Sequence, residues 1–353
     1  MAFAFCSKTI AGAVVVVTTV SMAIAGCASS DPESASSSSK SGVSSAQSSS
    51  QPSPSKSPVA KPSGASVTAG MPRGPVPAGT FGVGAAVTKP ACPEPPSNYS
   101  PLKVPGTVVK DINGLESGTN HGTAADKYAY PASVVNQWLE KPSTQPKNKK
   151  IVFVTFDDGP TTKFTGEQLD NLEKAGARAT FFMISPQIRD VNKNMLSRSL
   201  KMGNALAIHS YSHDYKYLYH GSAANKAKHI SCDWDWAMAQ SRAILGSNYF
   251  SSAFRYPGGH MSWTNLSQAD ATLAKRGVGW IDWNAMSGDA DAQRPTTVPG
   301  YLQMVKKSIK ESNNPNVVVI LNHDTFGKQM TAEAMPSILS WLKSQGYEFG
   351  VIS

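Results

Sequence analysis

Long apolar runs are missing from this chain of 353 residues. The most apolar stretch, Ile10 to Val20, is interrupted by threonines and is too short and too weakly apolar for a spanning helix. Acidic residues are also scarce, 24 against 33 lysines and arginines, which leaves a formal net charge of +9. That excess favours association with anionic surfaces and is silent about fold. The basic residues are scattered and show no sustained alternation with aromatics, which argues against nucleic acid as a partner. Cysteine is rarer still: of four, Cys6 and Cys27 fall in the first 27 residues, so Cys92 and Cys232 are the pair left over. Outside the cytosol these two can form a disulfide pinning an N-terminal extension to the main domain, although sequence alone does not bring them together.

What is present divides the chain into four parts. Residues 1–27 read as an export signal, with Lys8 the only charge, an apolar core, and small residues Ala23, Ala25 and Gly26 leading to Cys27. Ile24-Ala25-Gly26-Cys27 resembles the bacterial lipobox, in which the cysteine becomes the lipidated first residue of the mature protein; the plainer alternative is an ordinary cleaved signal. Residues 28–95 are rich in serine, proline and alanine and show no hydrophobic periodicity, so they are expected to be disordered. A coil of that length spans roughly 45 Å. It would tether a domain to the outer face of the cell membrane and let it reach into a cell wall. Residues 96–148 are polar, with one helical candidate at Ala132–Glu140, and are expected to wrap the domain that follows.

From residue 149 to 353 the pattern changes. β-rich runs at Ile151–Phe156, Ala179–Ile184, Ala205–His209, Ser252–Tyr256, Val278–Trp283, Val317–Asn322 and Tyr347–Ile352 alternate with amphipathic stretches at Gly166–Ala175, Asp190–Met202, Asp233–Leu245, Asn265–Lys275, Val298–Glu311 and Ala332–Ser344. Strand then helix, repeated, predicts parallel strands with helices outside. Seven strands in so short a length point to a distorted (β/α)7 barrel rather than an open sheet.

The chemistry concentrates at the ends of those runs. Thr155-Phe156-Asp157-Asp158-Gly159-Pro160 places two adjacent carboxylates where a strand is expected to break into a loop. Neighbouring carboxylates repel, so a fold that keeps both gives them different work, one binding a cation while the other moves protons. His209-Ser210-Tyr211-Ser212-His213 offers two histidines that, on a helical turn, would share a face and reach one metal ion. With Asp158 they make a set of one carboxylate and two imidazoles, which leaves positions open on Zn²⁺, the arrangement of a catalytic site. His121, His220, His229 and His260 have no co-ligand at such spacing and read as surface or capping residues. Trp234, Trp236 and Trp341 lie in helical stretches and read as packing.

Residues 149–353 resemble the polysaccharide deacetylases of carbohydrate esterase family 4, the NodB homology domain. Thr155 to Pro160 matches the first family motif, His209 to His213 the second, Arg255-Tyr256-Pro257-Gly258-Gly259 the third, and Leu321-Asn322-His323 the fifth. The resemblance implies a distorted barrel, a divalent metal (zinc first, cobalt or nickel as alternatives) and hydrolysis of N-acetyl or O-acetyl groups. It implies Asp158, His209 and His213 as ligands, Asp157 as the base, and Arg255 as the partner that keeps Asp157 ionised and aimed. Gly258 would lend a backbone N–H to the oxyanion, and His323 would protonate the leaving amine. Leu321, Trp283 and Tyr256 would line the acetyl pocket. The fourth motif departs from the family: Met286 stands where an aspartate is expected and Ala290 where a tryptophan is, which leaves Asp289 as the candidate carboxylate for His323. The expected activity is deacetylation of N-acetylglucosamine or N-acetylmuramic acid in peptidoglycan by a monomeric, membrane-anchored enzyme. Chitin oligomers, an exopolysaccharide or O-acetyl xylan are alternative substrates, and a non-catalytic glycan-binding lipoprotein is the alternative from another class.

Overall fold

A computed structural model describes Cys92 and residues 108–353. The export signal with Cys27, the tether apart from Cys92, and residues 96–107 of the extension lie outside the described residues. Among the described residues no helix is long and apolar enough to cross a membrane.

The strands are β1 (Ala129–Tyr130), β2 (Ile151–Gly159), β3 (Ala179–Ile184), β4 (Ala205–Ser210), β5 (Ala253–Phe254), β6 (Gly279–Trp280), β7 (Ala285–Met286), β8 (Val317–His323), β9 (Glu348–Phe349) and β10 (Val351–Ile352). The helices are α1 (Ala132–Glu140), α2 (Phe164–Ala175), α3 (Lys193–Lys201), α4 (Tyr215–Tyr219), α5 (Ala223–Leu245), α6 (Ser267–Ala274), α7 (Val298–Glu311) and α8 (Gln329–Ser344). The main sheet runs β6-β5-β4-β3-β2-β8-β7, all parallel, with β9 also pairing to the start of β2. It is a curled, incomplete barrel of the (β/α) type, with β6 and β7 as unjoined edges.

Alternation along β2 explains how the barrel is filled. Val152, Val154 and Phe156 face outward and pack with Leu169 and Leu172 of α2 and Ile338 and Leu339 of α8. Ile151 and Phe153 face inward, meeting Phe182, Ala207, Ala253, Ile281, Val317 and Val319 from the other strands. Ala132, Val135 and Trp138 of α1 join that inner cluster, so the helix plugs the N-terminal end of the barrel. The inward series on β2 continues through Thr155 to Asp157, at the C-terminal end where α/β barrels carry their chemistry.

Segment 108–148 holds on by main-chain pairing as well as by that plug. β1 pairs in parallel with β10, His121 bridges to Ala205, and Asn120 donates to the Ile352 carbonyl. Cys92 and Cys232 are disulfide-bonded with Cα atoms 5.8 Å apart.

Three expectations about elements change. The run at Tyr347–Ile352 splits at Gly350, whose Cα lies so near the Phe153 ring that a side chain there would stand 2.6 Å from it; β9 therefore joins the barrel and β10 turns to β1. A short strand, β7, appears in the altered fourth motif, held by pairing with β8. Helix α5 starts at Ala223, ten residues before the expected Asp233, because Ser222 caps it by accepting from the Asn225 N–H.

Candidate active site

Strand β2 does not end before its carboxylates; it runs on to Gly159 with a register break between Asp157 and Gly159. In a regular strand Asp157 and Asp158 would point to opposite faces. Asp158 instead takes φ +70°, a left-handed conformation unusual for a side-chain-bearing residue, and this bulge turns both carboxylates toward the same place. His209 Nε2 lies 3.8 Å from Asp157 Oδ2 and 3.5 Å from Asp158 Oδ1.

The two histidines do not share a helical turn. His209 is near the end of β4, whereas His213 sits in the following loop with φ +48°. They meet because the loop folds back, with ring centroids 5.1 Å apart and His213 Nε2 at 3.3 Å from Asp158 Oδ1. One ligand atom from each of Asp158, His209 and His213 falls within 4.8 Å of the others.

These residues fit a divalent metal ion. Asp158 Oδ1 is buried and makes no well-formed hydrogen bond among the described residues. His209 Nδ1 is engaged by the Arg255 carbonyl at 2.9 Å, which fixes the proton there and leaves Nε2 with a free lone pair. Burial pushes the His209 pKa down to about 4, so the ring is neutral as a ligand must be. Burial would lift the Asp158 carboxyl, yet His213 at 3.3 Å, joined by the charges of His209 and His323, holds it far below the usual range. Burial also disfavours a charge on His213, but Asp158 outweighs it and the pKa is raised. A second such group, Glu116, His121 and Asp126, forms in the N-terminal segment, so His121 does have acidic neighbours that sequence spacing does not reveal.

Arg255 secures Asp157. It is fully buried, and Nη1 donates to Asp157 Oδ1 at 2.8 Å and to Thr155 Oγ1 at 2.6 Å. Its remaining donors reach the Ile281 and Asp282 carbonyls, and its plane lies over Phe182 and beside Trp283. Four hydrogen bonds thus fix the guanidinium, and Asp157 is held with its second oxygen toward the ligand set.

His323 faces Asp157 across the sheet, its register partner on the neighbouring strand β8. Asp289 accepts from His323 Nδ1 and from the His323 backbone N–H, both at 2.8 Å, and is itself braced by Thr331 Oγ1 at 2.9 Å. Asp289, the candidate from the altered fourth motif, is therefore the carboxylate on His323, and Met286 pairs with Leu321 instead. Burial lowers the His323 pKa, but Asp289 first and then Asp157 and Asp158 more than offset it, leaving the imidazole easier to protonate than usual. Its Nε2 points inward, 4.0 Å from Asp158 Oδ2.

The pocket residues divide. Leu321 belongs to the inward series of β8, two residues before His323, and Trp283 leans over Arg255 and Gly259. Gly258 has φ +76° and its N–H makes no backbone hydrogen bond among the described residues. Tyr256 is a correction: it is fully buried, pointing opposite to Arg255, with its hydroxyl donating to Asp270 of α6. Alternation beyond β5 sends it outward, so it is a packing residue. Tyr215 takes a place at the mouth instead, half-exposed, its ring 5.4 Å from His213 and its hydroxyl near Gly258.

Sequence reasoning passed over three buried carboxylates. Asp282 accepts the His260 and Met261 N–H groups at 2.8 Å and so fixes the turn that carries Gly258. Asp233 accepts from the loop between His209 and His213. Asp324 lies under Gly159 and accepts from Thr165. Asp233 and Asp282 sit in no motif that sequence spacing marks, whereas Asp324 directly follows His323 and was overlooked beside it.

Asp157 and His323 thus face each other beside the Asp158, His209 and His213 group at the C-terminal end of a parallel barrel. Residues 144–275 match the model of the polysaccharide deacetylase family, a span that ends before Asp289 and His323. A family 4 carbohydrate esterase from Streptococcus mutans has a similar structure, with TM-score 0.61 and 40% identity, covering 68% of this chain and 98% of that one. The chain belongs to the polysaccharide deacetylase family of hydrolases. Among curated relatives, a bifunctional xylanase/deacetylase of Pseudobutyrivibrio xylanivorans is 31% identical over 210 residues, 60% of this chain and 31% of that protein. A peptidoglycan-N-acetylglucosamine deacetylase of Bacillus cereus is 28% identical over 204 residues, 58% of this chain and 69% of that one. The chain thus spans less than a third of the first of these and about two thirds of the second.

Proposed function

We propose that this protein removes acetyl groups from a cell-wall polysaccharide by metal-assisted hydrolysis, with the N-acetyl groups of N-acetylglucosamine or N-acetylmuramic acid in peptidoglycan as its substrate. The observation that carries the reading is the pairing of Asp157 and His323 in register on adjacent strands, each reaching the Asp158-His209-His213 set. Binding of glycan alone would need neither a directed base nor an acid tuned by Asp289. The B. cereus relative's name supports peptidoglycan, and the name of the P. xylanivorans relative keeps an acetylated xylan as the alternative.

Held by Asp158, His209 and His213, a divalent ion such as zinc would supply Lewis acidity, polarising the acetyl carbonyl and making the attacking water more acidic. Asp157, fixed by Arg255, takes the proton from that water as it adds to the carbonyl carbon. The Gly258 N–H donates to the carbonyl oxygen as it gains charge. His323 then gives its Nε2 proton to the amine as the C–N bond breaks, and Asp289 steadies the charged ring on the other side. Leu321 and Trp283 exclude water from the acetyl methyl.

The sequence supports an exported protein, lipid-anchored through Cys27 on the outer face of the membrane and reaching the wall on the 28–95 tether. Replacement of Cys27 by serine would release the protein to the medium.

Acetate release from purified wall tests the activity. The reading expects release that stops with chelator and with Asp157→Asn; a folded, metal-loaded protein that frees no acetate from any N-acetylated or O-acetylated glycan overturns it.

A further inference from the structure

The ligand His213 has no strand or helix of its own. It lies between β4 and α4 in a left-handed conformation that costs a non-glycine residue on the order of 1 kcal/mol, so something must hold it there. Asp233, from the middle of α5, supplies the restraint. Its Oδ2 accepts from Ser210 Oγ at 2.7 Å and from Tyr211 N–H at 2.8 Å, and its Oδ1 accepts from Ser212 N–H at 2.8 Å. Ser210 Oγ in turn accepts the His213 N–H at 2.8 Å. A single side chain therefore fixes every residue between the two histidines, and through Ser210 the second histidine itself.

Two features set Asp233 apart from an ordinary loop brace. It is completely buried, and no lysine or arginine pairs with it among the described residues, so hydrogen bonds are what chiefly offset its burial. The groups facing it, the Ser210 and Ser212 hydroxyls and the Tyr211 and Ser212 N–H groups, all donate, which suits a carboxylate and not an amide, whose NH₂ would meet an N–H head-on. We infer that Asp233 is a positioning residue of the metal site: it presets the His213 imidazole beside Asp158 and His209, so that a divalent ion meets an assembled ligand set. The inference rests on the metal-dependent reading above.

Groups that orient metal ligands from behind typically change metal affinity by about 10–100-fold when replaced. The test is competition for Zn²⁺ against a chromophoric chelator, with Co²⁺ spectra for ligand geometry, on the wild type, Asp233→Asn and Ser210→Ala, each checked for folding by circular dichroism. Asp233→Asn is expected to weaken Zn²⁺ binding about 10–100-fold and to alter the Co²⁺ band shape. Ser210→Ala, which cuts the relay to His213 and leaves two backbone contacts, is expected to show a smaller loss of the same kind. It carries the test alone if Asp233→Asn does not fold. Variants with lowered thermal stability but wild-type affinity and Co²⁺ spectrum would make Asp233 a structural brace and overturn the inference while sparing the function. A wild-type protein that binds neither ion would instead bring down the reading on which it rests.

Discussion

Asp157 and Asp158 are chemically identical and adjacent, and their surroundings separate them. Arg255 grips one oxygen of Asp157, whereas Asp158 is turned by the bulge onto two histidines. Asp157→Asn should retain Zn²⁺ and lose turnover by about 10²–10⁴-fold, the ordinary weight of a general base; Asp158→Ala should lose the ion itself. Equilibrium dialysis beside steady-state rates separates the two, and equal metal loss would show that the roles are divided wrongly. At His323 the Asp289 bond favours the protonated ring, so Asp289→Asn should move the alkaline limb of the pH–rate profile to lower pH. Asp324 makes a prediction of opposite kind. Burial holds its carboxyl up to about 7 against an ordinary 3.8, with Thr165 opposing and the Asp158 and Asp157 charges adding to the rise. Between those values the folded protein keeps a proton that the unfolded chain releases, so stability falls as pH rises from about 4 to about 7, by on the order of a few kcal/mol. Asp324→Asn should remove that slope and gain on the wild type as pH rises, and melting curves across the range would check it.

At the scale of elements, the helix α1 is a plug rather than a wrapping. Trp138→Ala should cost about 3–5 kcal/mol of stability and leave metal affinity intact, since the barrel core lies between it and the ligands. Parallel unfolding and chelator-competition measurements would test that separation. Much of the architecture was legible beforehand because fully buried parallel strands announce themselves as β-branched runs, as at Ile151–Phe156 and Val317–Asn322. The order of motifs along those runs also nominated Asp158, His209, His213, Arg255 and His323, which the fold brings to one end of the barrel. What was hidden depends on departures from regular geometry. A helical reading of His209 and His213 missed a loop that folds back under Asp233, and a pocket reading of Tyr256 missed the outward turn one residue past Arg255. The two-residue β7 carries too little pattern to be seen, so Asp289 could be nominated from its motif yet not placed until β8 paired beside it.

For the whole molecule, the Cys92–Cys232 bond ties a residue far upstream to the helix that carries Asp233, across a sequence separation of 140. Cys232→Ser should lower stability by about 2–4 kcal/mol, read as a shift in the denaturation midpoint, and the loss should be reproduced by reduction of the wild type. The central claim is the one proposed for the barrel mouth, removal of acetyl groups from a cell-wall polysaccharide. Mass spectrometry of peptidoglycan fragments, before and after treatment with the zinc-loaded protein and with Asp157→Asn as control, tests that central claim most directly. The account predicts loss of acetyl mass from the amino sugars with the wild type alone; unchanged fragments with a folded, metal-loaded protein, or equal loss with Asp157→Asn, would contradict it.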